Sequence, residues 1–181
     1  MALLIKRVAE DKKANKLSPL KLIASGVPIP EAAETEVGRC FTADCFTYRD
    51  GALGRCFPGT LRAVGIGSAS AFELAGELDF KEIVEVHLGM AGSHRRELQK
   101  ALTAQEKCWG LGQVDLLIRQ YQGGENPLGL RTESPNIFFV EAGSDVFALL
   151  ESCCSGSWGV GVDGFEDSLP WSVGCRFFFR N

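Results

Sequence analysis

The chain has 181 residues, 45% of them apolar and 23% charged, and a net charge of −4. Those are the proportions of one globular domain that can build a core unaided by metals or disulfides. No apolar run approaches the ~20 residues of a membrane helix. The lysines follow the short apolar Met1–Ile5 instead of preceding it, the reverse of a secretory signal; neither a membrane partner nor signal-dependent secretion is expected.

Charge is unevenly divided along the chain. In the first 25 residues Lys6, Arg7, Lys12, Lys13, Lys16 and Lys21 stand against Glu10 and Asp11, a surplus of +4, whereas the remainder is −8. Leu3–Leu17 reads as a short amphipathic helix with lysines around Leu4 and Val8. The two acids argue against a transit peptide. Ser18-Pro19 has the form of an N-cap and first helical residue, which predicts a second short helix over Pro19–Ser25 stopped by Gly26. Val27–Glu36, with Pro28 and Pro30, reads as an extended linker. The chain is thus divided into a basic helical arm and linker over residues 1–30 and a single β-rich domain over 31–181.

Glycine is over-represented in the chain: 21 residues, about 12% against a typical ~7%. Scattered glycines point to many tight turns, as in all-β folds. Gly-Arg-Cys-Phe occurs at Gly38–Phe41 and again at Gly54–Phe57, with the turn dipeptide Asp50-Gly51 between. Val37–Gly67 therefore reads as a hairpin with Cys45 opposite Cys56. Gly65–Ser68 reads as a turn before a short helix, Ser70–Gly76. Phe80–Met90 alternates through Phe80, Val84, Val86 and Leu88 as a strand would. Ser93 can cap a surface helix over His94–Gln105, with Leu98 and Leu102 inward. Trp109–Tyr121 reads as a strand with Val114, Leu116 and Ile118 inward, and Gln122–Ser134 as a contact loop. Asn136–Val140 is a short apolar strand, while Ser144–Glu151 fits a helical turn or a strand.

The last part of the chain carries the clearest alternation. Trp158, Val160 and Val162 mark one strand; Val173, Cys175, Phe177 and Phe179 mark another, whose opposite face holds Gly174, Arg176, Phe178 and Arg180. A strand this apolar lies centrally in a sheet or pairs with another subunit. The predicted fold class is mainly β, an antiparallel sandwich or barrel, with a short N-terminal helical arm and one surface helix around 94–105.

Reactive chemistry is thinly represented. Seven cysteines leave at least one unpaired, and the apolar or glycine-rich flanks of Cys40, Cys45, Cys56, Cys108 and Cys175 suit buried thiols in a reducing setting, the cytoplasm or a virion. Zinc needs four converging ligands, and neither CxxC nor HxxxH occurs. A thiol nucleophile needs an imidazole partner, and His87 and His94 are the two histidines. Gly65-Ile66-Gly67 lacks the third glycine of a dinucleotide turn. Asp163, Glu166 and Asp167 match no calcium loop and read as a solvated acidic turn. No enzyme activity, cofactor or metal is expected.

The arm remains as the functional signal. A basic segment on an acidic, β-rich body predicts a structural or assembly protein that builds or joins a larger oligomeric particle, such as a virion component. Its partners are further copies or other subunits. The expected contacts are Lys6, Arg7, Lys12, Lys13, Lys16, Arg176, Phe178 and Arg180, together with the Gln122–Ser134 loop. The alternatives are a nucleic-acid-binding or regulatory domain touching phosphates through the arm, and a small enzyme using Cys and His.

Overall fold

Nine strands and four helices follow one another in the computed structural model, which describes residues 18–154, 157–166 and 169–181. The strands are β1 (Leu20–Ile29), β2 (Thr35–Glu36), β3 (Phe46–Arg49), β4 (Thr60–Leu61), β5 (Gly67–Leu74), β6 (Asn136–Ala142), β7 (Asp145–Cys154), β8 (Ser157–Gly164) and β9 (Arg176–Arg180). The helices are α1 (Leu53–Cys56), α2 (Phe80–Leu88), α3 (Arg95–Ala104) and α4 (Leu111–Gln122). Seven strands form one open sheet in the order β1-β5-β9-β6-β7-β8-β3, and β2 pairs β4 separately. The fold is β-rich, as the composition predicts, but the sheet is mixed and not purely antiparallel: β9 runs parallel to β6, and β3 parallel to β8.

Both faces of the sheet are covered. One face presents Ile29, Ala69, Ala71, Phe138, Val140 and Phe178 to α4, which contributes Leu111, Val114, Leu117 and Ile118. The other presents Leu20, Leu74, Ile137, Phe139, Phe177 and Phe179 to α2 and α3, which contribute Phe80, Ile83, Val84, Leu98 and Leu102. Successive residues of β6 and β9 fall in opposite clusters, as the two-residue period of a strand requires. A strand buried on both sides reads as an unbroken apolar run, which is why Ile137–Val140 and Phe177–Phe179 show no polar positions.

Two segments expected as strands are helices. In α2, Ile83 is buried while Val86 is 41% exposed, the spacing of a helical stripe. Its start is fixed by a capping box: Asp79 accepts the Glu82 N–H at 2.9 Å and Glu82 accepts the Asp79 N–H at 2.9 Å. Such a cap stabilises a helix by about 1 kcal/mol. Gly89, at φ 67°, ends it. In α4, Leu117 is buried and Leu116 is 37% exposed, so the inward set turns with a 3.6-residue period. Gly110 begins this helix at a point where a Cβ would stand 2.4 Å from Val64 Cγ2, so the close approach of the two chains needs glycine there. The surface helix around 94–105 is α3, with Leu98 and Leu102 buried; His94, not Ser93, precedes it, its N–H held by Glu97 at 2.9 Å.

Three further expectations are corrected. Pro19–Ser25 is not a helix, nor is Val27–Ile29 a linker: from Leu20 to Ile29 the chain is β1, which pairs antiparallel with β5. Ser70–Gly76 is not a helix after a turn, since Gly67–Leu74 is β5 itself. Val37–Gly67 is not one hairpin: after β3 the chain enters α1, where Asp50 Oδ1 accepts the Ala52 N–H at 2.8 Å, and Cys45 therefore does not face Cys56 across a ladder. The strands expected at Asn136–Val140 and around Trp158–Val162 are β6 and β8, and Ser144–Glu151 resolves mainly as β7. The helix expected over Leu3–Leu17 lies outside the described residues.

Candidate interaction surface

β1 is one edge of the sheet, bonded to β5 on one side. Its register slips between Leu22 and Ala24 and again between Ala24 and Val27, and Gly26 sits at φ 65°. These bulges, with exposed Lys21 and Pro28, blunt the edge against indefinite strand addition. The side chains are less guarded: Leu22 is 54% and Ile23 36% exposed. Ile23 sits in the first of these bulges, next to Leu22, so the two exposed apolar side chains lie together where the ladder is interrupted. The basic segment precedes it by two residues, Ser18 and Pro19.

The expected contact residues separate into two groups. Lys6, Arg7, Lys12, Lys13 and Lys16 lie outside the described residues. Arg176, Phe178 and Arg180 do share one face of β9, as the alternation predicts, but β9 is central and α4 covers that face. Phe178 is fully buried and stacks on Phe138 with centroids 4.7 Å apart, and its carbonyl accepts the Trp109 Nε1–H at 2.9 Å. It has no surface to offer a partner. Arg176 has a side chain 12% exposed; it donates to the Gly129 carbonyl and to Glu73 at 3.3 Å. Glu73 also pairs with Arg131 at 2.9 Å. Arg180 is half-buried, its guanidinium close against Gly67. The 123–135 loop is anchored in part: Leu128 and Leu130 are buried, and Asn126 exchanges hydrogen bonds with Leu130 at 2.6 and 3.0 Å, while residues 123–127 are exposed.

A polar network missed in the sequence lies under the loop before β3. Asp115 on α4 accepts the backbone N–H of Phe41 at 2.7 Å and the Arg119 Nε–H at 3.0 Å. Arg119 also reaches Asp44 at 2.7 Å and the Thr42 hydroxyl at 2.8 Å. The guanidinium holds the Asp44 carboxyl down at about 2, below the usual carboxylate range. Phe41, at φ 55°, occupies the left-handed region that a bulky side chain avoids, at a cost of about 1 kcal/mol. The network offsets that cost. Asp115 and Arg119 are four residues apart, a spacing that announces a pair only on a helix.

Beside this network opens a pocket of about 250 Å³, lined by Cys40, Phe41, Thr42, Phe46, Thr47 and Arg49 among others. Burial, aided by the nearby Asp115 carboxylate, pushes the Cys40 thiol up to about 11, so it stands there protonated and unreactive. Cys45 donates to Gln122 Oε1 at 2.9 Å. His87 belongs to the opposite face of the sheet, with Phe72 and Phe179, and so brings no base to these thiols. A wider cleft of about 500 Å³ lies between α3 and the β6–β7 turn, where Arg96 and Lys100 meet Asp145 and Glu166. Opposite charges there cancel. Arg95 is turned inward, bonded to the Phe165 carbonyl at 2.8 Å and paired with Asp79 at 3.4 Å. Among the described residues, no three His, Cys, Asp or Glu side chains converge as a metal site requires, and no helix is long and apolar enough to cross a membrane.

No family model matches this chain, and no curated protein and no solved structure shows significant similarity to it.

Proposed function

We propose that the chain is a structural protein that builds or joins a larger oligomeric particle, a virion component being one such particle, through its basic N-terminal segment and the β1 edge. The observation that carries this reading is continuity: a segment with five cations leads into an edge strand on which Lys21, Leu22 and Ile23 are exposed. Charge steers the encounter with an acidic body, and the apolar side chains supply the contact once water is expelled. The bulges in β1 confine backbone pairing to short stretches, so side chains carry the contact. Phe178 is internal and Arg176 nearly so, and both drop out of the contact set; the exposed residues 123–127 of the following loop stay in it.

Light scattering on the full chain at low and high salt tests the reading. A discrete oligomer that weakens with salt, and that disappears when residues 1–17 are removed with the β signal kept, supports it. The cut must stop before Leu20, because β1 begins there. A monomer at both salts with steeply salt-dependent binding to nucleic acid, lost on the same truncation, would instead make the segment a phosphate-binding element.

A further inference from the structure

His87 lies in the last turn of α2, flat against Phe179 with centroids 3.6 Å apart and planes within 10°, and edge-on to Phe72 at 5.3 Å. Its Nε2 is buried and has no hydrogen-bond partner. The carboxylates of its own helix are committed elsewhere: Glu85 to Lys81 at 2.5 Å and to the Gly92 N–H at 3.1 Å, Glu82 to the Asp79 N–H. From the neighbouring elements, β5 and β9 present the two phenyl rings, and the segment after α3 presents Lys107, whose charge opposes a second cation.

We propose that His87 makes the contact between α2 and the sheet acid-sensitive: a proton on the imidazole releases α2 and uncovers the aromatic face of Phe72 and Phe179. The proton would arrive on the buried Nε2 of a half-buried ring, with no acceptor for the new N–H and a like charge nearby. Two effects run the other way: the partial negative charge at a helix C-terminus and the electron-rich face of Phe179 both favour a cation. Desolvation outweighs them, and the imidazole is held down at about 4, against an ordinary 6.5.

The sign follows directly. Released, His87 takes a proton with ordinary affinity; packed, it resists. Attachment of α2 is therefore strongest above 6.5 and weakens as the pH falls from there towards 4. Each unit is worth up to tenfold in the opening equilibrium, about two orders of magnitude across the window.

Amide hydrogen exchange of the full chain from about pH 7 to about 4.5 tests this. After correction for intrinsic rates, protection over Ile83–His87 falls more than ~10-fold while Ile137–Val140 stays protected, and His87→Phe, which keeps the stack and removes the titration, abolishes the fall. Joint loss in α2 and β6, or the same loss in His87→Phe, overturns the proposal. Should that variant not fold, an NMR titration of His87 in the unaltered chain decides: a depressed midpoint supports it, and one at the ordinary imidazole value overturns it.

Discussion

The Asp115 carboxylate takes the backbone N–H of Phe41 at 2.7 Å, binding α4 to a loop that lies 74 residues earlier in the chain. The same carboxylate orients Arg119, so one buried acid serves both the backbone of the strained residue and the cation that holds the rest of the loop. Asp115→Ala leaves the Phe41 N–H and Arg119 without their buried acceptor. It should lower stability by about 2–3 kcal/mol in urea denaturation. Asp44→Ala should cost much less, because that carboxylate is open to solvent. Equal effects from the two would mean that the network is a surface decoration.

The thiols should be silent in the folded protein. Burial holds Cys40 at about 11 and Cys108 at about 12. At pH 8 their thiolate fractions are then about one in a thousand and one in ten thousand. Alkylation followed by mass spectrometry should leave both unlabelled until denaturant is added. Stability linked to these groups is intact at neutral pH and falls as the pH rises above about 9, where the unfolded thiols ionise, towards the raised values of about 11 and 12. Rapid labelling of native Cys40 would reopen the pocket beside it as a reactive site.

Phe178 distinguishes core from contact. As a packed side chain stacked on Phe138, its truncation to Ala should cost about 3–5 kcal/mol. Phe178→Leu, which refills most of the volume, should recover most of that loss and leave the solution mass unchanged. A variant that stays fully stable but loses its oligomer would contradict the burial.

The β1 edge makes the opposite forecast. Leu22→Glu together with Ile23→Glu should lower stability by no more than about 1 kcal/mol, because Leu22 is 54% and Ile23 36% exposed. Light scattering should show the oligomer weakened or lost. An intact oligomer in the double variant would remove the edge from the interface.

Apolar periodicity misleads where two periods share positions. Phe80, Val84 and Leu88 fit both a strand and a helix; Ile83, buried, and Val86, exposed, separate the two. The deciding signal was local and available: Asp79 and Glu82 have the spacing of a capping box, and Gly89 that of a stop. The same test applies to Leu116 and Leu117 in α4. β1 was illegible for a different reason. Ser18 does behave like a cap, its Oγ accepting the Leu20 N–H at 3.3 Å, but the chain continues as a strand because β5 supplies a ladder from far along the sequence. Propensity cannot register a partner that distant. β6 was readable from its dense apolar run and β8 from its alternation, whereas the apolar content of β9 left a central place and pairing with another subunit both open. The site beneath the loop at 40–46 stayed hidden, since an acid and an arginine four apart mean little until the segment is known to be helical.

The position of β9 has a consequence for how the protein is made. Among the described residues it is the last strand to be synthesised, yet it stands between β5 and β6 and joins the two halves of the sheet. Until Arg176–Arg180 emerges from the ribosome, β1 with β5 and β6 with β7 and β8 have no ladder between them, and each displays an unpaired inner edge. A chain cut off before Arg176 would thus carry two open templates for wrong pairing, one on β5 and one on β6.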